Sequence, residues 1–253
     1  MWEIYDTLIE GIPETITVEE SVLGDHWAAL RSSEDGAGLG MRYNITTINS
    51  DLPEDLRGIK LCRLARAAKS WNFIEAAFGV AAINSYYNHH ERAKKLGIDI
   101  SASSRANEAF LKYRDMLTGK NVAVVGHFPY LENLLKPVCN LSIIERQPQE
   151  GDYPDAASEY LLPLQDYVFI TGSTLVNKTL PRLLQICAKR RVVLVGPSTP
   201  LAPALFNFGI YDLSGFVVRD RPALLSAIRE PANDGNYGRH FEAGVMVNFK
   251  ADS

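Results

Sequence analysis

The sequence lacks the features that define several large classes of protein. Its three cysteines, Cys62, Cys139 and Cys187, stand far apart, so we expect neither a disulfide framework nor the close cysteine pairs of zinc knuckles and redox centres. No apolar run approaches the roughly 20 residues that cross a bilayer. The first residues also lack the basic-then-apolar order of a signal peptide. We therefore expect a cytoplasmic protein without a membrane partner.

An excess of positive charge is missing as well. The formal net charge is -4 and the lysines and arginines are scattered, which is not the pattern of a dedicated nucleic-acid binder. The apolar fraction of 46% and the charged fraction of 22% are typical of globular proteins and argue against disorder. We expect a small-molecule partner and no nucleic acid, and the sequence leaves a homo-oligomer open.

The first part of the chain predicts a small α+β domain. Residues 2–10 have a helical pattern, and three strand candidates follow at residues 15–23, 27–32 and 41–47. The three glycines within residues 33–40 predict a tight loop between the last two strands. Three further helical patterns lie around residues 60–71, 72–83 and 106–117.

From Asn121 onward the pattern changes to apolar strands that alternate with helices. Five short apolar runs are typical of strands buried on both faces of a parallel sheet: 122–126, 141–145, 167–172, 192–196 and 216–218. Helical patterns lie between or after them at 129–136, 175–188, 201–208 and 221–229. The fold class predicted is α/β, with a small α+β domain over residues 1–118 and a Rossmann-like parallel-sheet domain over residues 119–253.

In such a sheet the ligand crevice lies beyond the carboxyl ends of the strands. His127 follows the first strand and Glu145 ends the second. An imidazole there can act as a general acid or base or as a metal ligand, and Glu145 can share proton transfer or hold a ribose. A packing or capping histidine and a solvated strand-end acid are the alternatives.

The turns after the third and fourth strands carry hydroxyl and amide side chains that suit phosphate or carboxylate recognition. Plain helix capping is the better explanation for any single one of them, but their concentration at one sheet edge favours a ligand site. The candidate ligand-binding residues of these turns are Thr171, Ser173, Thr174, Asn177, Ser198 and Thr199. The first turn, Gly126-His127-Phe128-Pro129, lacks the Gly-x-Gly-x-x-Gly pattern of dinucleotide sites. Phe128 is a further ligand-binding candidate, and a nucleoside-, pterin- or flavin-type ligand stays open.

Three more residues are candidates for the lining of the crevice. The glycine-rich segment at residues 36–40 is expected to lean over it with Glu34 and Arg42 as polar lining, and a simple hairpin connection is the alternative. Asn84 lies among apolar neighbours in a predicted buried helix, where its amide must find hydrogen-bond partners.

Four stretches of the chain resemble the putative heavy-metal chelation family: residues 72–84, 125–129, 171–177 and 196–203. The resemblance implies an enolase N-terminal-like domain, a Rossmann-like domain and a pocket between them. It also implies a role in metal chelation or in making a chelating or pterin-like molecule. This chain has no dense cluster of histidine and cysteine, which favours action on a chelator over tight direct metal binding.

Three functional hypotheses follow. The first is a protein that binds or transforms a small chelator-, pterin- or flavin-type molecule, with His127 and Glu145 in proton transfer. The second is a non-catalytic protein that binds a metal or a metal chelate. The third is a methyltransferase that uses S-adenosylmethionine, against which the missing glycine-rich turn argues. The cofactors that these hypotheses allow are a divalent metal or a nucleoside- or pterin-like ligand.

Overall fold

The computed structural model describes residues 1–45, 48–101, 108–231 and 238–250. These residues form a three-stranded antiparallel sheet and a seven-stranded, mostly parallel sheet, with helices packed against both. This mixed architecture confirms the predicted fold class. None of the helices in the described ranges is long and apolar enough to cross a membrane.

The antiparallel sheet has the order β1 (Val18–Leu23), β2 (Trp27–Ser32) and β3 (Ala37–Met41). The helices of this part are α1 (Glu3–Glu10), α2 (Leu61–Ala65), α3 (Phe73–Tyr87), α4 (His90–Lys95) and α5 (Glu108–Tyr113). Helix α3 begins after Asn72, whose side chain accepts hydrogen bonds from the backbone N–H groups of Ile74 and Glu75. It is buried along most of its length, as its apolar sequence predicts.

Residues 33–36 form the predicted turn between β2 and β3, which are joined as a hairpin. Residues 37–40 belong to strand β3, so the predicted loop was wrong for this half of the glycine-rich segment. Helix α3 packs so closely on β3 that a Cβ at Gly38 would lie 2.2 Å from the carbonyl oxygen of Ala81, and one at Gly40 would lie 2.0 Å from that of Ala77. The glycines are therefore needed for close packing of a helix on a strand. The strand predicted at 41–47 was also wrong, because β3 ends at Met41 and residues 42–45 have no regular structure. Residues 46 and 47 lie outside the described residues.

The five predicted parallel strands all exist, and two further strands join them. The strands are β4 (Asn121–Val125), β5 (Asn140–Glu145), β6 (Tyr153–Pro154), β7 (Tyr167–Thr171), β8 (Arg191–Val195), β9 (Ile210–Val218) and β10 (Gly244–Lys250). Their order in the sheet is β10-β9-β8-β7-β4-β5-β6, with β10 antiparallel to β9. The chain moves outward from β4 to β5 and then returns to place β7 on the other side of β4. The topological switch point, where open α/β sheets bind ligands, therefore lies between β4 and β7.

The remaining helices are α6 (Leu131–Leu135), α7 (Ser158–Leu161), α8 (Leu180–Ile186) and α9 (Arg221–Arg229). The helix predicted from residue 175 begins later than expected, because residues 172–175 form a 3-10 turn and Lys178 has a φ of 66°. The helix predicted at 201–208 is a 3-10 helix over Pro203–Phe208.

Alternate residues of the parallel strands face two separate apolar layers. Val124 and Phe169 pack with Phe110 of α5 on one face of the sheet. On the other face, Val168 belongs to a core that also contains Leu8 of α1. The first and second parts of the chain thus share one core. The division predicted at residue 119 stays a prediction.

Candidate functional site

A cavity of about 800 Å³ lies at the carboxyl ends of β4, β7 and β8, on the switch point of the parallel sheet. Eight of the twelve predicted site residues line it: His127, Phe128, Glu145, Thr171, Ser173, Thr174, Asn177 and Ser198. The first part of the chain contributes Trp27, Met41 and Tyr43 to the wall. Because the carboxyl ends of the parallel strands lie at one edge of the sheet, residues of four different turns come together there.

His127 is held by a buried carboxylate. Its Nδ1 lies 2.9 Å from Oδ2 and 3.1 Å from Oδ1 of Asp152, whose side chain is only 1% exposed. The backbone N–H of Gln149 also donates to Oδ2 at 3.0 Å. Because an ionised carboxylate can only accept hydrogen bonds, Nδ1 carries the proton in this pair. The lone pair of the neutral imidazole is then on Nε2.

Glu132 lies on the Nε2 side of the same ring. Its Oε2 is 3.8 Å from Nε2, and its side chain is partly exposed in the first turn of α6. His127, Glu132 and Asp152 offer ligand atoms within 4.8 Å of one another, the one such group of three found in the described ranges. Imidazole nitrogen and carboxylate oxygen are a donor set that suits Zn²⁺ and neighbouring transition metals. The residues therefore fit a metal, with Nε2 and Glu132 as the side chains that would hold it.

Both oxygens of Glu145 are already bonded to backbone amides. Oε2 accepts the N–H of His127 at 2.9 Å, and Oε1 accepts those of Arg146 at 2.7 Å and Gln147 at 3.2 Å. The carboxylate thus ties the end of β4 to the end of β5. This geometry favours a positioning role for Glu145, which holds the turn that presents His127, over the predicted proton transfer.

A chain of hydroxyl and amide groups forms a polar edge of the cavity. The hydroxyl of Tyr43 donates to Oγ of Ser173 at 3.0 Å and accepts from Nδ2 of Asn177 at 2.9 Å. Oγ1 of Thr171 lies 3.0 Å from the same Ser173 oxygen. Burial raises the pKa of the Tyr43 phenol, and the hydrogen bond with Ser173 opposes this rise. The phenol therefore stays protonated at neutral pH and keeps its donor.

Other predicted residues of these turns hold the structure itself. Oγ1 of Thr174 donates to the carbonyl of Thr171 at 2.6 Å. Oγ of Ser198 accepts the backbone N–H of Met41 at 3.0 Å, which joins the end of β3 to the turn after β8. The bond of Thr174 is donated to a carbonyl and is not a cap. The capping alternative fits Thr171, whose side chain accepts the backbone N–H of Ser173, and Ser198 links the two parts of the chain.

Glu34 and Arg42 do not line the cavity. Glu34 forms an ion pair with Arg92 at 2.9 Å, and the Nη1 of Arg42 donates to the carbonyl of Gly24 at 2.8 Å. The expectation that they lie beside the crevice was based on a loop leaning over it. Glu34 lies in the turn between β2 and β3 and Arg42 follows β3, and both side chains lie outside the cavity wall.

Asn84 and Thr199 are buried next to the cavity but are not part of its wall. The Nδ2 of Asn84 donates to the carbonyl of Leu39 at 2.7 Å, and the carbonyl of Thr199 accepts from Nδ2 of Asn88 at 2.9 Å. Both residues therefore connect α3 to neighbouring elements.

The sequence reasoning missed three residues of the site: Glu132, Asp152 and Tyr43. Glu132 had a usable signal, since an acid in the first turn of the helix that follows His127 must lie near the imidazole. Asp152 comes from an irregular loop and Tyr43 from the other part of the chain. No periodic pattern marks either position.

The fold and this site define a class: two-part α/β proteins with a cavity at the carboxyl edge of the parallel sheet and a carboxylate-bound histidine at its rim. Two family models, both described as putative heavy-metal chelation, match residues 5–87 and 109–248. The chain belongs to this family, which confirms the resemblance seen in the sequence.

Relatives support the same assignment. An uncharacterised protein of Methanocaldococcus jannaschii is 31% identical over 199 residues, which cover 76% of this chain and 70% of that protein. The crystal structure of a family protein of unknown function from Desulfitobacterium hafniense is 44% identical and matches with a TM-score of 0.90, over 99% of this chain and 98% of that one. Another of unknown function, from Pyrococcus horikoshii, has a TM-score of 0.75 at 20% identity, with 98% of each chain covered, and shows the fold alone.

Proposed function

We propose that this protein binds a small chelator-, pterin- or flavin-type molecule in the cavity and that His127 acts on the molecule through Nε2. The observation that carries the proposal is the bond between Nδ1 of His127 and the buried Asp152. It fixes the ring and leaves the Nε2 lone pair for the bound molecule. We further propose a cytoplasmic location and a small-molecule partner, without a nucleic-acid or membrane partner.

The cavity supports a small organic ligand. Its volume of about 800 Å³ falls in the range of small-molecule sites, roughly 300–1,000 Å³. The wall is mostly apolar, with Phe128, Val195 and Pro197 near the strand ends and the Ser173 and Asn177 side chains at one edge. Apolar surfaces with hydrogen-bonding groups along one edge suit a flat heteroaromatic ring that carries polar substituents.

Two versions of the function give His127 different roles. In the catalytic version, Nε2 accepts a proton from the bound molecule and Asp152 stabilises the imidazolium that forms. In the non-catalytic version, the protein carries a metal or a metal chelate, and the 3.8 Å separation of Nε2 and Glu132 favours it. A methyltransferase is the least supported version, because the first turn is Gly126-His127-Phe128-Pro129 and lacks the glycine-rich pattern.

Thermal unfolding in the presence of metal-free compounds tests the cavity directly, since a ligand that prefers the folded protein raises its Tm. We suggest pterin-6-carboxylate, riboflavin, dipicolinate and S-adenosylmethionine. At least one of the first three should raise the Tm of the unmodified protein and of Tyr160→Ala, a change at a residue 79% exposed and outside the cavity wall. The rise should be lost in Phe128→Ala.

Equal Tm shifts in Phe128→Ala and Tyr160→Ala, or no shift with any of the compounds, would contradict the proposal. Stabilisation by S-adenosylmethionine alone would favour the methyltransferase version. If a bound compound is converted, His127→Ala should abolish turnover while the folded structure is kept. Such a result would favour the catalytic version.

A further inference from the structure

We infer that the species bound at His127 is a divalent transition-metal chelate with vacant coordination positions, which Nε2 of His127 and the carboxylate of Glu132 fill. The inference rests on the proposed function, because the cavity must hold the organic part of the chelate. It assigns a mixed site in which the protein supplies a minority of the ligands and the small molecule supplies the rest.

The positions of the two donor atoms suit a shared ion. Nε2 and Oε2 are 3.8 Å apart. Nitrogen and oxygen ligands lie about 2.0–2.2 Å from Zn²⁺, which places two ligands of a tetrahedral ion about 3.4 Å from each other. A shift of about 0.4 Å closes the difference for a tetrahedral ion, and one of about 0.8 Å closes it for neighbouring positions of an octahedral ion such as Ni²⁺, which lie about 3.0 Å apart at the same bond length. The Glu132 side chain is partly exposed and can make that shift.

The protein cannot complete the coordination shell from this cluster. Asp152 is bonded to Nδ1, on the side of the imidazole ring away from Nε2, and so cannot bind the same ion. Both oxygens of Glu145 are occupied by backbone amides. Protein zinc sites normally supply three or four ligands, whereas this one supplies two. A bare ion should therefore bind weakly, and a chelate that brings its own ligands should bind well.

Asp152 has the place of an outer-shell carboxylate. Ligand histidines usually donate their other ring N–H to such a group, which fixes the tautomer and makes the metal-binding nitrogen more basic. Here the donor is Nδ1 and the acceptor is a side chain that is almost fully buried. An imidazole in the donor set favours Ni²⁺, Co²⁺, Cu²⁺ or Zn²⁺ over Mg²⁺ and Ca²⁺. The arrangement thus selects the class of metal as well as its position.

Two nickel complexes separate a chelate with vacant positions from one without. Ni²⁺–nitrilotriacetate leaves two positions open, whereas Ni²⁺–ethylenediaminetetraacetate leaves none. Tag-free protein is titrated with each complex and with NiCl₂, by calorimetry and by the d–d absorption of nickel. We expect one equivalent of the nitrilotriacetate complex to bind with a change in the d–d bands, and no binding of the ethylenediaminetetraacetate complex.

Variants assign the binding to the two side chains. Glu132→Gln and His127→Ala should each weaken the binding of Ni²⁺–nitrilotriacetate at least about tenfold. Glu14→Gln removes the same charge from an acid outside the cavity wall, one that is paired with Lys60, and should leave the affinity unchanged. Glu132→Gln keeps the test valid if His127→Ala fails to fold.

Equal affinity in Glu132→Gln and Glu14→Gln would overturn the inference. So would equal binding of the two complexes, or tight binding of NiCl₂ alone. If the nickel complexes fail while a metal-free compound raises the Tm, the inference is wrong and the proposed function stands. If the metal-free compounds and the nickel complexes both fail to bind, the proposed function fails as well.

Discussion

The Asp152 side chain is almost fully buried, yet the histidine to which it is bonded lines the cavity. Through this contact, Asp152 affects the chemistry of the site although it lies in an irregular loop. It sets the ring orientation of His127 and the nitrogen on which the lone pair lies.

Asp152→Asn tests this positioning role at nearly constant volume. The change removes the negative charge behind Nδ1, so Nε2 becomes a weaker donor, and the affinity for Ni²⁺–nitrilotriacetate should fall about tenfold, as for other outer-shell changes. Calorimetry with the complex measures the change. Asp55→Asn, at an exposed acid outside the cavity wall that is paired with Arg57, is the control. Equal affinities of the two variants would show that Asp152 does not act through His127.

Lys178 is a second residue with an unusual environment. Its backbone has a φ of 66°, and its Nζ donates to the carbonyl of Val176 at 2.7 Å. The same nitrogen lies 5.3 Å from the ring centroid of Phe73 and 5.9 Å from that of Trp71. Burial lowers the pKa of Lys178 to about 8, and the nearby Glu75 opposes this effect.

This shift makes the stability of the protein depend on pH in alkaline solution. Between about pH 8 and the ordinary lysine pKa of 10.5, the unfolded chain binds more protons at this residue than the folded one. The contribution of Lys178 to the free energy of unfolding should therefore rise with pH across that window. Urea unfolding measures the free energy of unfolding of the unmodified protein and of Lys178→Met. The difference between the two, unmodified minus variant, should increase by about 1–3 kcal/mol from about pH 7 to about pH 10. A difference that does not change with pH would contradict this.

At the scale of elements, the contact between β3 and α3 depends on glycine. Gly40→Ala places a Cβ against the backbone carbonyl of Ala77. Neither the backbone of α3 nor that of β3 can shift easily to relieve this clash. We expect a loss of about 3 kcal/mol or more in the free energy of unfolding. Gly58→Ala is the control, because that glycine has a φ of 79° and open space, so only about 1 kcal/mol of backbone strain is expected. Urea unfolding measures both losses. Equal losses of unfolding free energy in the two variants would mean that the packing of α3 on β3 does not need glycine at position 40.

The elements that the sequence predicted well are those with a clear local signal in their own residues. The continuous apolar runs of β4, β5, β7, β8 and β9 indicated buried strands, and Asn72 marked the start of α3. Strand β6 has two residues and β10 lies antiparallel at the sheet edge, so neither produced a clear signal. The role of the β3 glycines could not be predicted, because glycine fits a loop equally well and the packing of a distant helix decides between the two.

The candidate site shows the same division. The turns that follow parallel strands could be placed together from the sequence, since the carboxyl ends of such strands share an edge. Tyr43 and Asp152 could not, because one approaches from the first part of the chain and the other from a loop without a pattern. The sequence therefore predicted the strand-end residues of the cavity wall but not Tyr43 and Asp152, which contact Ser173 and His127.

At the scale of the whole molecule, buried polar contacts join the two parts of the chain. The Nδ2 of Asn88 donates to the carbonyls of Thr199 at 2.9 Å and Phe216 at 3.1 Å, and its Oδ1 accepts the N–H of Leu201 at 2.8 Å. The hydroxyl of Tyr5 donates to the carbonyl of Leu175 at 2.9 Å. These groups would lose their partners if the two parts separated, which carries a desolvation penalty for each.

Separate production of residues 1–118 and 119–253 tests this dependence. Because each part would expose one side of a shared core, we expect neither fragment to give a cooperative thermal transition when produced alone. The two fragments mixed or produced together should associate and recover one transition. Circular dichroism during heating provides the measurement, with the intact chain as the reference. A fragment that unfolds cooperatively on its own would show that the core is divisible.

The central claim is that the cavity holds a metal chelate against His127 and Glu132. Diffraction data collected at the nickel absorption edge, from crystals soaked with Ni²⁺–nitrilotriacetate, test it most directly. The account predicts an anomalous peak between Nε2 of His127 and the Glu132 carboxylate, with density for the chelator in the cavity. A peak only at other side chains, such as His89 and His90, whose rings lie next to each other, with no chelator density in the cavity, would contradict it.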